Sequence, residues 1–230
     1  MRPDGGVPES IDPDRLPSAD ALLNLLRSRR STRRFRPEAP PRSLLERLAD
    51  AARFAPTGSN RQAVRIVMVT DPDLLASLHA RIIARYIQYE RHLASPVRRF
   101  FLATFVDRRL GTPAIRAELG RFLDAHRAGH DPLFHRAPVL VLTYTESTAT
   151  TPKDDCCLAL YHMVLAAERL GLGSCFLGTA ELAFARTPSL NDLVRIPRDR
   201  TVLGAACFGY PAIRFERLVD REPPRVQWLG

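Results

Sequence analysis

The chain has 230 residues, 45% of them hydrophobic and 26% charged; these are the proportions of a globular chain that builds a single core, which excludes a mostly disordered chain, a fibre and two full enzyme domains. Thirty-four basic residues against twenty-five acidic ones give a net charge of +9, but Lys153 is the only lysine and the arginines are spread along the chain, so no nucleic-acid-binding stripe is expected. No window approaches the roughly 18 apolar residues that a membrane helix needs, and the polar, acidic start lacks the apolar stretch of a signal peptide, so no membrane contact and a cytoplasmic location are expected.

Residues 1–17 hold four prolines, two glycines and no periodicity, and read as a flexible arm ahead of one domain spanning 18–230. Ser18 caps a helix expected over 19–29, with Ala21, Leu22, Leu25 and Leu26 on one face. A second helix is expected over 41–54, started by Pro40 and Pro41, striped by Leu44, Leu45, Leu48 and Ala52, and stopped by Pro56. The run RIVMVT at 65–70 is β-branched and ends at Asp71-Pro72, a cap and first-turn pair, so a strand enters a long helix reaching about His92.

The stretch 94–129 reads as helical and as a candidate flap. It carries Phe100, Phe101, Leu102 and Phe105, then Ile115, Leu119, Phe122 and Leu123 at helical spacing. PVLVLTYT at 138–145 is a nearly continuous apolar run, as in a strand buried on both faces. A helix over 154–170 closes at Gly171, strands follow at 174–177 and 202–209 with small helices between them, and 211–230 is irregular. Strands alternate with more numerous helices, which predicts an α/β (α+β) three-layer sandwich with a small central sheet flanked by helices.

Cys156, Cys157, Cys175 and Cys207 make no CxxC pair and no histidine stands at ligand spacing from them, so no metal site is expected. Three segments carry chemistry instead. In RRSTRRF, 29–35, the guanidinium groups of Arg29, Arg30 and Arg33 and the Ser31 hydroxyl crowd one turn, a set that suits a phosphate. In APTGSNRQ, 55–62, backbone N–H groups, hydroxyls and amides suit the polar edge of a heterocycle. In GLGSCFLG, 171–178, glycines let the backbone approach a flat ligand. The spacing is not that of a dinucleotide fingerprint, and the segment follows a helix and precedes a strand, so no independent dinucleotide fold is supported.

Taken in order, RSRRSTRRF, AARFAPTGSNRQ, HRAPVLVLTY, DCCLALYHMVLAAERLGLGSCFLG, IPRDRTVLGAACFGYP and DREPPRVQW resemble the nitroreductase-like FMN-dependent oxidoreductase family, over about residues 20–229. The resemblance implies a homodimer whose flavin sites lie at the subunit interface. It implies that Arg29, Arg30 and Ser31 hold the FMN phosphate and ribityl groups, with Arg221 of the tail at the phosphate, and that Arg33 stands by the pyrimidine edge. It further implies that Pro56, Thr57, Gly58, Asn60 and Gln62 reach the flavin of the other subunit, that Leu177, Gly178 and Thr179 lie near flavin N5, and that the tail 211–230 wraps the partner.

Two departures stand out. Ala63 and Val64 follow Gln62 where the family often has Pro-Trp, and Val219 replaces a second basic residue in the tail. With Phe100, Phe101 and Phe105, the small residues suggest a roomy apolar acceptor pocket. The implied activity is hydride transfer from NADPH or NADH through FMN to nitroaromatic or quinone-type small-molecule acceptors by a ping-pong route, with N5 carrying the chemistry and no catalytic side chain required. The alternatives are a specialised flavin enzyme of the same fold (azoline-oxidising, flavin-fragmenting or dehalogenating) and a non-catalytic flavin-binding protein.

Overall fold

The computed structural model describes residues 10–105, 112–146 and 149–230. The first nine residues of the expected N-terminal arm therefore lie outside the described residues, as do the side chains of Phe101 and Phe105. The chain divides into two compact units, one formed by the residues up to Arg29 together with Phe215–Gly230, the other by Arg30–Arg214.

Among the described residues of the first unit the one α-helix is α1, Ala19–Ser28, and the Ser18 hydroxyl accepts the Ala21 N–H at 3.2 Å as its cap. Arg29 is the C-cap residue. None of its residues is buried, and Leu22, Leu23 and Leu26 all face solvent. The tail carries no regular element from Phe215 onward, and Val226, Trp228 and Leu229 are exposed.

The second unit holds the sheet. Its strands are β1 (Val64–Val69), β2 (Val139–Thr145), β3 (Gly173–Phe176) and β4 (Val202–Gly209), in the order β1-β2-β4-β3 with every neighbouring pair antiparallel. The helices are α2 (Arg42–Arg53), α3 (Pro72–Ala94), α4 (Pro96–Phe105), α5 (Pro113–Arg127), α6 (Pro152–Arg169), α7 (Gly178–Arg186) and α8 (Ser189–Leu193). Local chemistry explains their starts. The Asp71 carboxylate accepts the Asp73 and Leu74 N–H groups at 2.9 Å ahead of Pro72, and prolines open α4, α5 and α6, where a missing N–H costs nothing. The 94–129 stretch is thus two helices, and α6 ends at Leu170, with Gly171 in the left-handed region (φ +72°) directly after it.

The pleat divides the core. Leu140, Leu142, Ala205 and Cys207 face one side, where Leu78, Ile82, Leu123 and Phe184 from α3, α5 and α7 cover them. Val139, Val141, Ala206 and Phe208 face the other, under Leu45 and Leu48 of α2 and Leu160 and Met163 of α6. Each fully buried leucine contributes roughly 1.5–3 kcal/mol over an exposed one, which is why the interior strands β2 and β4 read as apolar runs. The unit is the expected sandwich of helices, a small sheet and helices.

Candidate cofactor site

The segment after α1 lies along the open edge of β3. Thr32 N–H donates to the Ser174 carbonyl at 2.8 Å, Ser31 bridges Ser174 in parallel fashion, and Arg36 N–H donates to the Tyr210 carbonyl at 2.9 Å. The approach is close because Gly173 has no side chain: a Cβ there would stand 2.6 Å from Thr32 Oγ1 and 2.8 Å from its Cβ. Thr32 is buried against it, and Arg33, next along, points to solvent.

Arg33 opens onto a cavity of about 560 Å³. Leu177, Gly178 and Thr179, at the end of β3 and the first turn of α7, form a second wall, and Ile115, Leu119 and Phe122 of α5 an apolar third. Space over Gly178 is open, since a Cβ there would have no atom within 4 Å. Tyr86 of α3 also lines the cavity and donates its phenol hydrogen to the Thr179 carbonyl at 2.7 Å. Burial pushes the Tyr86 phenol far above its ordinary range, although Arg186 pulls the other way, so it stays a donor.

His135 completes this wall from a loop under unusual constraint. His135 and Arg136 both have left-handed backbone, φ +58° and +55°, which a residue with a Cβ adopts only when its surroundings enforce it. Asp131 enforces it: its carboxylate accepts the N–H groups of Leu133 and Phe134 at 2.9 Å and of Arg136 at 2.8 Å, and meets His79 Nε2 at 3.1 Å. Burial opposes ionisation of Asp131, but the His79 contact and the Arg136 and Phe134 amides outweigh it and hold the carboxyl well below its usual range. Burial pushes the His135 imidazole down, Asp131 resists this and the nearby Arg33 charge adds to it, so the ring is largely neutral at pH 7.

The loop expected to serve the other subunit is equally constrained. Ser59, Asn60 and Gln62 all have φ near +50°. Gly58 N–H donates to Asp155 Oδ1 at 2.9 Å, which also accepts the Thr151 hydroxyl at 2.7 Å, and Gln62 N–H donates to Thr57 Oγ1 at 3.0 Å. A Cβ on Gly58 would stand 2.3 Å from both Thr150 Oγ1 and Thr151 Oγ1. Thr57 and Gln62 line a different cavity, of about 320 Å³, with Val64, Arg65 and Ala159.

The expected site residues therefore fall into separate groups. Arg33, Leu177, Gly178 and Thr179 share one cavity, whereas Pro56, Thr57, Gly58, Asn60 and Gln62 form a loop whose cavity none of those four lines. Arg30 N–H reaches Glu168 Oε1 at 3.4 Å and Ser31 sits on β3, while Arg29 and the exposed Arg221 belong to the first unit. Phe100 is 66% exposed and lines none of these cavities; the described residues of the apolar wall come from α5. The sequence assigns no role to Tyr86, Asp131, His135 or Asp155. Tyr86 and Asp155 meet partners far away in the chain, Thr179 and Gly58, and no local pattern carries such a pairing; Asp131 sets its own loop within five residues.

Residues 26–210 match the Nitroreductase family, and the chain belongs to that family. Its fold is the one on which solved members bind FMN. A nitroreductase from Desulfitobacterium hafniense DCB-2, with FMN bound, is 26% identical and superposes with a TM-score of 0.65 over 89% of this chain and 97% of its own. One from Bacteroides fragilis NCTC 9343, also with FMN, is 21% identical with a TM-score of 0.65 over 89% and 97%. An iodotyrosine deiodinase from Thermotoga neapolitana is 29% identical over 154 residues, 66% of this chain and 71% of that protein. The residues present fit a flavin. The cavity volume lies within the usual range of roughly 300–1,000 Å³ for small-molecule sites, the backbone beside Gly178 is uncovered, and one end is cationic through Arg33.

Proposed function

We propose that the chain is a homodimeric FMN-dependent oxidoreductase that takes a hydride from NADPH or NADH and passes it, in a second half-reaction at the same site, to a nitroaromatic or quinone-type acceptor. The observation that carries this reading is the meeting of Arg33 with the Leu177–Thr179 backbone at one ring-sized cavity, in a family whose solved members hold FMN. Bound FMN would supply the hydride chemistry at N5. Arg30 and Ser31, with Arg29 and Arg221, would hold its phosphate and ribityl groups, since forked guanidinium donors match phosphate oxygens. Arg33 would face the pyrimidine edge, where a fixed positive charge favours the anionic reduced ring. Pro56, Thr57, Gly58, Asn60 and Gln62 would approach from the partner subunit, in keeping with their place at a separate cavity of their own chain. The α5 wall and Tyr86 would exclude water from the acceptor.

The test is an absorbance spectrum of the purified protein before and after anaerobic NADPH. Flavin bands that bleach, and FMN rather than FAD in the heat-released supernatant, are expected. A colourless protein that gains no bands with added FMN would overturn the reading.

A second reading is reductive dehalogenation of a halogenated aromatic, favoured by the similarity to the Thermotoga neapolitana iodotyrosine deiodinase. Iodide release from 3-iodotyrosine by the reduced protein, faster than reduction of any nitroaromatic or quinone, would select it; no iodide release would remove it.

A further inference from the structure

A second cavity, of about 400 Å³, adjoins the ring-sized one, and the two share Arg33, Pro132 and His135. Its other walls include Arg34, His130, Asp131 and Arg136. Three guanidinium groups and two imidazoles thus converge on a concave surface that holds one carboxylate. That carboxylate is already occupied: Asp131 accepts three backbone N–H groups and meets His79. Arg136 spends one N–H on the neutral carbonyl of Gly129 at 2.8 Å.

Some of the chain's arginines find acids, as Arg42 does with Glu46, Arg65 with Glu146, Arg127 with Glu90 and Arg198 with Asp192. Among the described residues no such ion pair is formed by Arg33, Arg34 or Arg136. Cations left without counter-charges on a solvated face signify little, because arginines are common there. Cations left so around a hollow, beside a cavity sized for a ring, create a local positive potential that concentrates anions.

We propose that this second cavity seats the pyrophosphate linker of the dihydronicotinamide dinucleotide whose nicotinamide ring enters the adjoining cavity. The inference rests on the functional reading above. A phosphate joined through a ribose to a flat ring spans two cavities that share a wall, and forked guanidinium groups bind phosphate oxygens in pairs. The strained loop 131–136 then has a purpose beyond carrying His135: it sets Arg136 in the wall of the hollow that Arg34 also lines. The site would serve NADH and NADPH alike, since both carry the linker.

ADP-ribose carries the linker without the nicotinamide and is a probe that turns nothing over. Calorimetry on oxidised, FMN-loaded protein is expected to show ADP-ribose binding that weakens about tenfold or more in Arg34→Ala and in Arg136→Ala, as loss of a charge-assisted contact demands, with FMN content unchanged. In steady state, KM for NADH should rise by a similar factor relative to that for 1-benzyl-1,4-dihydronicotinamide, which has no phosphate. Arg34 is exposed and anchors no loop, so Arg34→Ala decides the matter if Arg136→Ala folds poorly. Loaded protein whose ADP-ribose affinity ignores Arg34→Ala overturns the proposal alone. FMN loss in that variant overturns it too, by giving the cavity to the flavin, as does a change confined to the KM of an anionic acceptor. Wild-type protein without FMN overturns the functional reading and this one together.

Discussion

Asp155 shows how one buried side chain sets a loop that it does not belong to. It is 1% exposed, and its Oδ1 joins Gly58 to Thr151. Asp155→Ala removes the acceptor of the half-buried Gly58 N–H and of the Thr151 hydroxyl, two hydrogen bonds of about 0.5–1.5 kcal/mol each, so urea unfolding should shift to lower denaturant and FMN retention should fall with it. Gly58→Ala attacks the same junction sterically and is expected to cost about 1–3 kcal/mol; an unfolding midpoint equal to wild type would show that the loop yields freely. Asp131 adds a pH signature. Its folded carboxyl titrates below the unfolded value of about 3.9, so its stabilisation is complete above that value and drains away as pH falls through it towards the folded one. The difference in unfolding free energy between wild type and Asp131→Asn should therefore be on the order of 2 kcal/mol at pH 7 and shrink below about pH 4. A gap that is constant from pH 7 to pH 3 would deny Asp131 its role. Burial pushes the Cys156 thiol up to about 12 and Cys207 well above its ordinary value, so neither is a thiolate at neutral pH and neither should be labelled by alkylating agents in the folded protein.

At the scale of elements, the described residues that make the apolar wall of the ring-sized cavity come from α5. Leu119→Ala is expected to change the ranking of nitroaromatic and quinone acceptors in steady-state assays, and Phe100→Ala to leave it unaltered; the reverse result would place α4 at the acceptor. The sequence alone does not say which helix makes this wall, because both carry apolar stripes, and a stripe says that a face is covered without saying by what. Strands were more legible. RIVMVT and PVLVLTYT lie within a residue of β1 and β2, since β-branched runs between turn residues leave few other conformations, and Val202–Gly209 falls where its apolar run does. Sheet order was not legible, because antiparallel pairing of β2 with β4 joins residues some sixty positions apart and is decided by packing on both faces. Of the candidate site, the segments near glycine turns were picked out by turn chemistry. Tyr86 and Asp155 act through backbone groups 93 and 97 positions away that no local window contains, whereas Asp131 accepts N–H groups two, three and five positions on, a local turn that carries no sign of the cavity beside it.

For the whole molecule, the 56–62 loop and the Arg33 cavity lie apart in one chain, and on the proposed reading a complete site would need a second copy. Leu22, Leu23 and Leu26 of α1 and the apolar tail residues are exposed in one chain, as surfaces kept for a partner would be. Sedimentation should find a dimer at micromolar concentration. Trp228, the only tryptophan and 88% exposed here, should then emit at shorter wavelength in the dimer than after dissociation by dilution or mild denaturant. A monomer that retains FMN would overturn the interface. The strand order has a consequence for biosynthesis as well. β4 is the last strand to be made and yet sits between β2 and β3 in the sheet, so a nascent chain halted before residue 202 presents two unpaired apolar strand flanks to its surroundings. The sheet closes only once β4 has left the ribosome, which makes this a late-closing fold whose unfinished chain leaves apolar strands unpaired.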